Sequence, residues 1–152
     1  MPPLLLICMM GLPRSGKSTL AQMLSEKCGI PMVNRDAVRL ALHGQRFAQL
    51  AEPMVAAISG IMVNALFIAG HSTVIADETN VRRASRDFWA KLHKGGAIEF
   101  WHIDTPKEVC LERARSLNDA HIQPVIERMA LEFEPLQDDE KRFDVSKYKL
   151  FE

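Results

Sequence analysis

The chain has 152 residues, of which 47% are hydrophobic and 25% charged. This is the composition and length of one ordinary globular domain, and we expect a single domain over residues 1–152. Nineteen basic residues balance nineteen acidic ones, which argues against a protein that holds long duplexes by charge alone. The remaining partner classes are a nucleic acid held by a local patch and a small molecule.

Two apolar stretches resemble targeting or membrane segments. Residues 1–10 lack a positively charged leading region and run into a glycine-containing loop instead of a cleavage site. Residues 53–76 carry no Asp, Glu, Lys or Arg, but Gly70 and His71 interrupt them, which favours a buried helix followed by a core strand over a membrane span. We therefore expect no membrane contact and a cytoplasmic location.

Short apolar runs alternate with helical patterns along the whole chain. The predicted strands cover residues 4–9, 32–34, 73–76, 97–103 and 143–150. The predicted helices cover residues 17–27, 36–42, 48–69, 82–93, 105–117 and 125–133. Strands that alternate with helices predict an α/β fold of three layers with a mainly parallel sheet of about five strands.

The first strand leads into Gly11-Leu-Pro-Arg-Ser-Gly16-Lys17-Ser18, which matches the P-loop pattern G-x-x-x-x-G-K-S/T in full. Glycines let the backbone curl so that its N–H groups point at phosphate, and the next helix adds its positive N-terminal end. Lys17 would reach the β- and γ-phosphates, and the Ser18 hydroxyl would bind Mg²⁺. We predict that ATP with Mg²⁺ binds here. The predicted contacts are Gly11, Pro13, Arg14, Ser15, Gly16, Lys17, Ser18 and Thr19.

A second motif, Asn34-Arg35-Asp36-Ala37-Val38-Arg39, follows the second strand. The carboxyl ends of neighbouring parallel strands lie on one side of a sheet, so Asp36 is expected to face the P-loop, with Arg39 one turn further along the helix. Asp36 could accept the proton of an attacking hydroxyl, and Arg39 could hold an anionic group of the acceptor. The alternative is that Asp36 is only a helix N-cap, paired with an arginine.

The third predicted strand ends in Asp77-Glu78-Thr79-Asn80. An acidic residue at this place in P-loop enzymes holds Mg²⁺ or its waters, which is the role we predict for Asp77. Thr79 and Asn80 are predicted to shape the turn and cap the next helix. The alternative is that Asp77 is only a turn residue.

Arginines in two later helices are candidates for phosphate contacts. The first group is either a solvated helix face or a phosphate-contacting patch, and consists of Arg82, Arg83 and Arg86. Arg113 and Arg115 precede a polar stretch at 116–123, where P-loop kinases often carry a lid whose arginines neutralise the transferring phosphoryl group. The alternative is that these two arginines only favour the helix C-terminal dipole. Thr105 is predicted to cap their helix.

The order Gly-x4-Gly-Lys-Ser-Thr, Asn-Arg-Asp-x-x-Arg and Asp-x-Thr-Asn resembles the kinase domain of phage-type polynucleotide 5′-hydroxyl kinases and their zeta-toxin-like P-loop relatives. The resemblance covers residues 4–136 and implies a P-loop kinase fold with a short lid. It implies that Lys17 and Ser18 bind phosphate and Mg²⁺, and that Asp77 orients the metal or an arginine. It also implies that the lid supplies Arg113 or Arg115. Leu117 stands where a further lid arginine would be expected.

The resemblance also implies that Asp36 is the general base and that Arg39 contacts the acceptor's phosphate. The expected reaction is ATP-dependent phosphoryl transfer to a nucleic acid, at a 5′-terminal hydroxyl of DNA or RNA or at a hydroxymethylated base in DNA. The second acceptor is that of phage hydroxymethyluracil-DNA kinases, and its base would have to leave the stack. One alternative is a kinase for a sugar, antibiotic or nucleotide-sugar, which the neutral charge permits. Another is a nucleotide-dependent switch, which would need no acceptor base.

Overall fold

The structure is a computed structural model that describes residues 3–148. Within this range the chain forms one four-stranded sheet of β1 (Leu5–Met10), β2 (Met32–Asn34), β3 (Thr73–Asp77) and β4 (Ala97–His102). The spatial order is β2-β3-β1-β4, and every neighbouring pair is parallel. The helices are α1 (Lys17–Cys28), α2 (Arg35–His43), α3 (Glu52–Ile68), α4 (Arg83–Leu92), α5 (Lys107–Ser116) and α6 (Ile122–Glu132).

The sheet is the middle of three layers. Alternate residues of a strand face opposite sides, so Leu6 of β1 packs towards α3 and α4, while Ile7 packs towards α1. The core between the sheet and helices α3 and α4 fully buries Trp89 of α4. The core on the other face of the sheet fully buries Leu20 of α1. Because both faces are covered, the strands read as continuous apolar runs, and the predicted α/β sandwich is confirmed.

The carboxyl ends of the strands meet at one edge of the sheet. Asn34, the last residue of β2, is in register with Asp77, the last residue of β3. β1 lies next to β3 and ends at Met10, immediately before the P-loop. Strand pairing therefore brings together three motifs that are far apart in the sequence.

The predicted fifth strand at 143–150 is wrong for the part of that range that the structure describes, which ends at residue 148. The chain makes one isolated bridge beside β4, between Phe100 and Arg142. Asp144 then accepts hydrogen bonds from the backbone N–H and the hydroxyl of Ser146, at 3.0 and 2.6 Å. This local turn satisfies the backbone in place of strand pairing.

Helix α3 is less buried than the prediction for residues 53–76 requires. Val55 and Val63 are fully buried against the sheet, whereas the side chains of Ile61 and Ile68 are 65% and 86% exposed. A helix that lies on the surface of a sheet can bury only one stripe. By length and composition alone, Gln49–Ile68 would be long and apolar enough to cross a membrane, but in this fold its buried stripe forms part of the core.

Candidate active site

The P-loop is tightly curled between β1 and α1. Arg14 and Gly16 adopt left-handed backbone conformations, with φ of 66° and 99°. A Cβ atom on Gly11 would lie 2.9 Å from the carbonyl oxygen of Ile103, a contact that only glycine avoids. The Gly11 N–H also donates to the carbonyl of Thr79, at 2.9 Å, which ties the loop to the end of β3.

Two side chains that are distant in sequence donate hydrogen bonds to carbonyl groups of this loop. The Thr105 hydroxyl donates to the carbonyl of Ser15 at 2.7 Å, and Nη1 of Arg113 donates to the carbonyl of Arg14 at 3.0 Å. The predicted capping role of Thr105 is therefore wrong, because α5 begins at Lys107 without any side-chain cap. The hydroxyl is used instead to fix the P-loop.

Ser18 and Asp77 form a polar pair at the start of α1. The Ser18 hydroxyl donates to Oδ2 of Asp77 at 2.8 Å, and Nδ2 of Asn34 donates to the same oxygen at 2.7 Å. Asp77 is 3% exposed, and its other carboxylate oxygen, Oδ1, is buried without a hydrogen-bond partner. A buried acceptor with no donor, beside a hydroxyl whose proton is already engaged, fits Mg²⁺ with its bound waters.

Asp36 is placed differently from the capping alternative. The N-cap of α2 is Asn34, whose side-chain oxygen accepts the N–H of Ala37 at 2.9 Å, so the capping part of that alternative is wrong, whereas its pairing with an arginine is confirmed. The Asp36 side chain is 76% exposed and lies 2.7 Å from Nη1 of Arg39. The carboxylate is thus held by a neighbouring cation and faces open space.

Arg39 has a second partner that sequence reasoning missed. Glu52, in the first turn of α3, accepts hydrogen bonds from its Nε and Nη2 atoms, at 2.6 and 3.0 Å. Burial alone would lower the pKa of Arg39, but the hydrogen bonds and charge of Glu52 and Asp36 raise it above its ordinary value. These contacts to Glu52 and Asp36 use three of the five N–H donors of Arg39, so two remain for an acceptor phosphate.

A three-residue contact, here called the Asp119 clasp, connects three separate loops. Arg14 of the P-loop donates from Nη2 to Asp119 at 2.7 Å. Arg46, in the loop between α2 and α3, meets both oxygens of the same carboxylate, at 2.9 and 3.0 Å. Hydrogen bonds from these two arginines hold the pKa of Asp119 well below its ordinary value. Nothing in the local sequence around Arg46 or Asp119 indicates this contact.

Two cavities meet over these residues. The first, of about 810 Å³, lies between the P-loop and α5, and the second, of about 540 Å³, lies between the ends of β2 and β3 and helix α6. They are called the donor cavity and the acceptor cavity, after the roles proposed for them. Six residues line both cavities: Pro13, Lys17, Ser18, Asp36, Arg46 and Ile122. The P-loop lysine and the candidate base therefore stand at the junction of two chambers.

The acceptor cavity combines an apolar wall with cationic groups. Phe47, Val125 and Met129 form the apolar part, and Arg128 is a cation on the same side. Arg35 also lines this cavity, and its Nε lies 2.9 Å from Glu78. Burial raises the pKa of Glu78, and the charge of Arg35 partly offsets that rise.

A comparison with family models agrees with this geometry. Residues 6–136 match the family AAA_33, described as an AAA domain. The chain belongs to this family. AAA_33 is a family of P-loop kinases, and the fold implies the binding of a nucleotide, typically with Mg²⁺. Curated protein sequences give no significant match.

Solved structures with this fold include several kinases. A gluconokinase from Sinorhizobium meliloti 1021 has a TM-score of 0.65 and 20% identity over 93% of this chain and 82% of its own. The Mycobacterium tuberculosis APS kinase CysC, in complex with AMPPNP and APS, has a TM-score of 0.67 and 18% identity over 94% and 89%. A chain of the Pnkp1/Rnl/Hen1 RNA repair complex has a TM-score of 0.70 and 23% identity. The match covers 93% of the protein described here but only 50% of the chain from the repair complex.

Two of the arginines predicted as a phosphate patch are structural in this AAA_33 domain. Arg86 is 1% exposed, and its Nε lies 2.6 Å from Glu140, while Arg83 pairs with Asp87 and Asp139 at 2.8 and 2.7 Å. Neither arginine lines either cavity. The acidic residues Asp139 and Glu140 supply these long-range partners, so the phosphate-patch alternative is wrong for Arg83 and Arg86.

The turn after β3 and the predicted lid are partly as expected in this AAA_33 domain. Asn80 has a left-handed φ of 49°, but its side chain donates to the Met9 carbonyl at 2.7 Å and does not cap α4. Arg113 lines the donor cavity, whereas Arg115 is exposed and lines neither cavity. Of the two candidate lid arginines, only Arg113 faces the P-loop.

Proposed function

We propose that the protein is an ATP-dependent, Mg²⁺-dependent kinase that transfers the γ-phosphoryl group to a hydroxyl of a nucleic acid. The observation that carries phosphotransfer is the junction of two cavities at Lys17, Ser18 and Asp36. A switch needs one chamber for its nucleotide, whereas group transfer needs a second chamber that opens onto the same reacting atoms. The exposed Asp36 carboxylate at this junction has no use in a switch.

The residues around the donor cavity have separable tasks. Lys17 is 9% exposed and would balance charge on the β- and γ-phosphates, together with the curled P-loop backbone. The Ser18 hydroxyl donates a hydrogen bond to Asp77, which leaves the lone pairs of the hydroxyl oxygen available to a metal ion. When bound, Mg²⁺ would neutralise phosphate charge and orient the γ-phosphoryl group. Arg113 lies at the same cavity and would add positive charge there.

The acceptor side supplies a proton acceptor. As the acceptor oxygen bonds to phosphorus and the bond to the ADP oxygen breaks, Asp36 would take the hydroxyl proton. Arg39 holds Asp36 and is itself held by Glu52, so the carboxylate has a defined position despite its exposure.

The shape and charge of the acceptor cavity support a nucleotide-bearing acceptor. Its apolar wall, which includes Phe47 and Met129, suits a flat base, and Arg35 and Arg128 suit a flanking phosphate. The acceptor would be a 5′-terminal hydroxyl of DNA or RNA, or the hydroxymethyl group of a modified base in DNA. The likeness to a chain of an RNA repair complex adds support. A small-molecule acceptor is the second candidate, supported by the zero net charge and by the likeness to a gluconokinase.

The test is transfer of label from γ-labelled ATP to a panel of acceptors. The panel contains a 5′-hydroxyl oligonucleotide, an end-blocked duplex with hydroxymethyluracil, gluconate and other small alcohols, and each is also run with Lys17→Ala. We expect label in one of the two nucleic acids with the wild type and none with the variant. Label only in a small alcohol would replace the acceptor part of the proposal, and nucleotide binding without transfer to any acceptor would favour a switch.

A further inference from the structure

Arg46 stands at the boundary between the donor and acceptor cavities. It belongs to the loop at 44–48, and its side chain lines both chambers. Of the cationic residues that line the cavities, Lys17 and Arg46 alone are shared by both within residues 3–148. The Arg46 guanidinium is therefore one of two cations placed where a group would pass from ATP to an acceptor.

A phosphoryl group in transfer spreads negative charge over its equatorial oxygens, and cations placed around it stabilise that charge. Lys17 approaches from the P-loop and Arg113 from α5. The position on the lid where the family resemblance predicts another arginine is occupied by Leu117, which is 61% exposed. Arg46 belongs to a third element, the loop after α2, and reaches the same junction.

We infer that Arg46 contacts the phosphoryl group during transfer and that Asp119 is the positioning residue that aims it. This inference rests on the proposed kinase function. The bond from phosphorus to the ADP oxygen breaks, the bond to the acceptor oxygen forms and its proton goes to Asp36, so Arg46 exchanges no proton. Its paired contact with Asp119 uses only part of its N–H donors, which leaves others for phosphoryl oxygens.

The burial of Asp119 explains how an exposed loop can present a defined arginine. The Asp119 side chain is 9% exposed, while that of Arg46 is 57% exposed. Without a fixed partner, a long side chain on such a loop would occupy many rotamers, and ordering it during catalysis would cost entropy. Asp119 is fixed in turn by Arg14 of the P-loop and by its own N–H, which donates to the carbonyl of Ala114 at 2.9 Å. The Asp119 clasp thus holds Arg46 at a fixed position relative to the phosphate-binding loop.

The first test compares Arg46→Ala, Arg46→Lys and Asp119→Asn, with Gln45→Ala as a control for disturbance of the same loop. With the 5′-hydroxyl oligonucleotide, Arg46→Ala should lower kcat by about 10²–10³-fold, with less than about a threefold change in the KM for ATP. Arg46→Lys should recover only part of the loss, because lysine lacks the planar fork. Asp119→Asn should lower kcat by about tenfold, and Gln45→Ala should be unchanged.

Two readouts separate this role from a structural one. Guanidinium ions in solution should restore part of the kcat of Arg46→Ala but none of that of Lys17→Ala, and the melting temperatures of Arg46→Ala and Arg46→Lys should match the wild type. A lower melting temperature that accounts for the lost activity would overturn the inference. Faster turnover with Asp119→Asn would also overturn it, because Asp119 would then withhold Arg46 from the phosphate.

The second test does not depend on the acceptor. Aluminium fluoride with ADP and Mg²⁺ imitates a phosphoryl group in transfer, and it should tighten ADP binding to the wild type at least about tenfold more than to Arg46→Ala. Equal tightening in both proteins, or none in the wild type, would contradict the role of Arg46. If the wild type labels no oligonucleotide but shows this difference, the acceptor assignment fails while the role of Arg46 stands.

Discussion

The donor and acceptor halves of the site are held in different ways. The donor half is built from a continuous segment, and its curled P-loop is fixed by backbone geometry, by Thr105 and by the edge of the sheet. The acceptor half is assembled from side chains that are distant in sequence, such as Arg39 with Glu52. A site with one half built from a continuous segment and the other assembled from distant side chains could keep its nucleotide-binding half while residues of the other half change.

The largest effect should come from the donor half. Lys17→Ala should lower phosphoryl transfer by about 10³-fold or more, because it removes the buried cation shared by both cavities. Lys27→Ala, which removes an exposed lysine at the end of the same helix, is the matched control and should be unaffected. Turnover assays and thermal melting would check both. Normal transfer by a folded Lys17→Ala protein would contradict the assignment of the donor cavity.

The next largest effect concerns the candidate base. Asp36→Asn should slow transfer by about 10²–10⁴-fold with unchanged ATP affinity, because it removes a proton acceptor and leaves the P-loop intact. Its melting temperature should stay the same, since Asn34 caps α2. Asn34→Ala is the contrasting variant and should lower stability by about 1 kcal/mol through loss of the cap. An Asp36→Asn protein that melts early and transfers normally would show that this carboxylate is structural.

A smaller effect should follow from loosening the assembled half. Glu52→Gln keeps the shape of the side chain but removes the charge that holds Arg39, and it should lower kcat by about tenfold.

Arg39→Ala should raise the KM for an oligonucleotide, with a shallow salt dependence because few phosphates are contacted, and barely change ATP binding. The measurement is acceptor KM for an oligonucleotide and a bare nucleoside across a salt series. Equal use of both acceptors without salt dependence would favour a small-molecule kinase.

The smallest expected effect is that of Arg115→Ala, and it distinguishes the two candidate lid arginines. Arg113→Ala should lower kcat by about 10–100-fold, because its side chain lines the donor cavity and holds the Arg14 carbonyl. Arg115→Ala removes an exposed guanidinium outside both cavities and should stay within about twofold of the wild type. Steady-state rates at saturating ATP would decide this. A larger loss with Arg115→Ala would place the active arginine on the other face of α5.

The sequence was sufficient where the chemistry depends on neighbouring residues or on strand order. The curled P-loop follows from the local pattern, and the position of Asp36 beside the P-loop follows from parallel strand pairing. The same reasoning failed for Arg83 and Arg86, whose partners Asp139 and Glu140 lie more than 50 residues away, although Arg83 also pairs with Asp87 on its own helix.

Long-range side-chain contacts explain the missed residues as well. Glu52 and Asp119 belong to the site only because folding brings α3 and the turn after α5 against it, and neither has a local pattern that distinguishes it from a surface acid. The fifth strand failed for a smaller reason. The Asp144 side chain accepts the backbone N–H of Ser146 in a local turn, which the interspersed apolar residues Phe143, Val145 and Tyr148 do not reveal.

The most direct test of the account is whether ATP turnover depends on a hydroxyl acceptor. Purified protein is given γ-labelled ATP and Mg²⁺ with and without the 5′-hydroxyl oligonucleotide or the hydroxymethyluracil duplex, and ADP, free phosphate and labelled acceptor are quantified together. Two joined cavities predict that ADP forms mainly when an acceptor is present, with one label in the acceptor for each ADP. Equal ADP formation without any acceptor, with the label released as free phosphate, would contradict phosphotransfer as the function of this site.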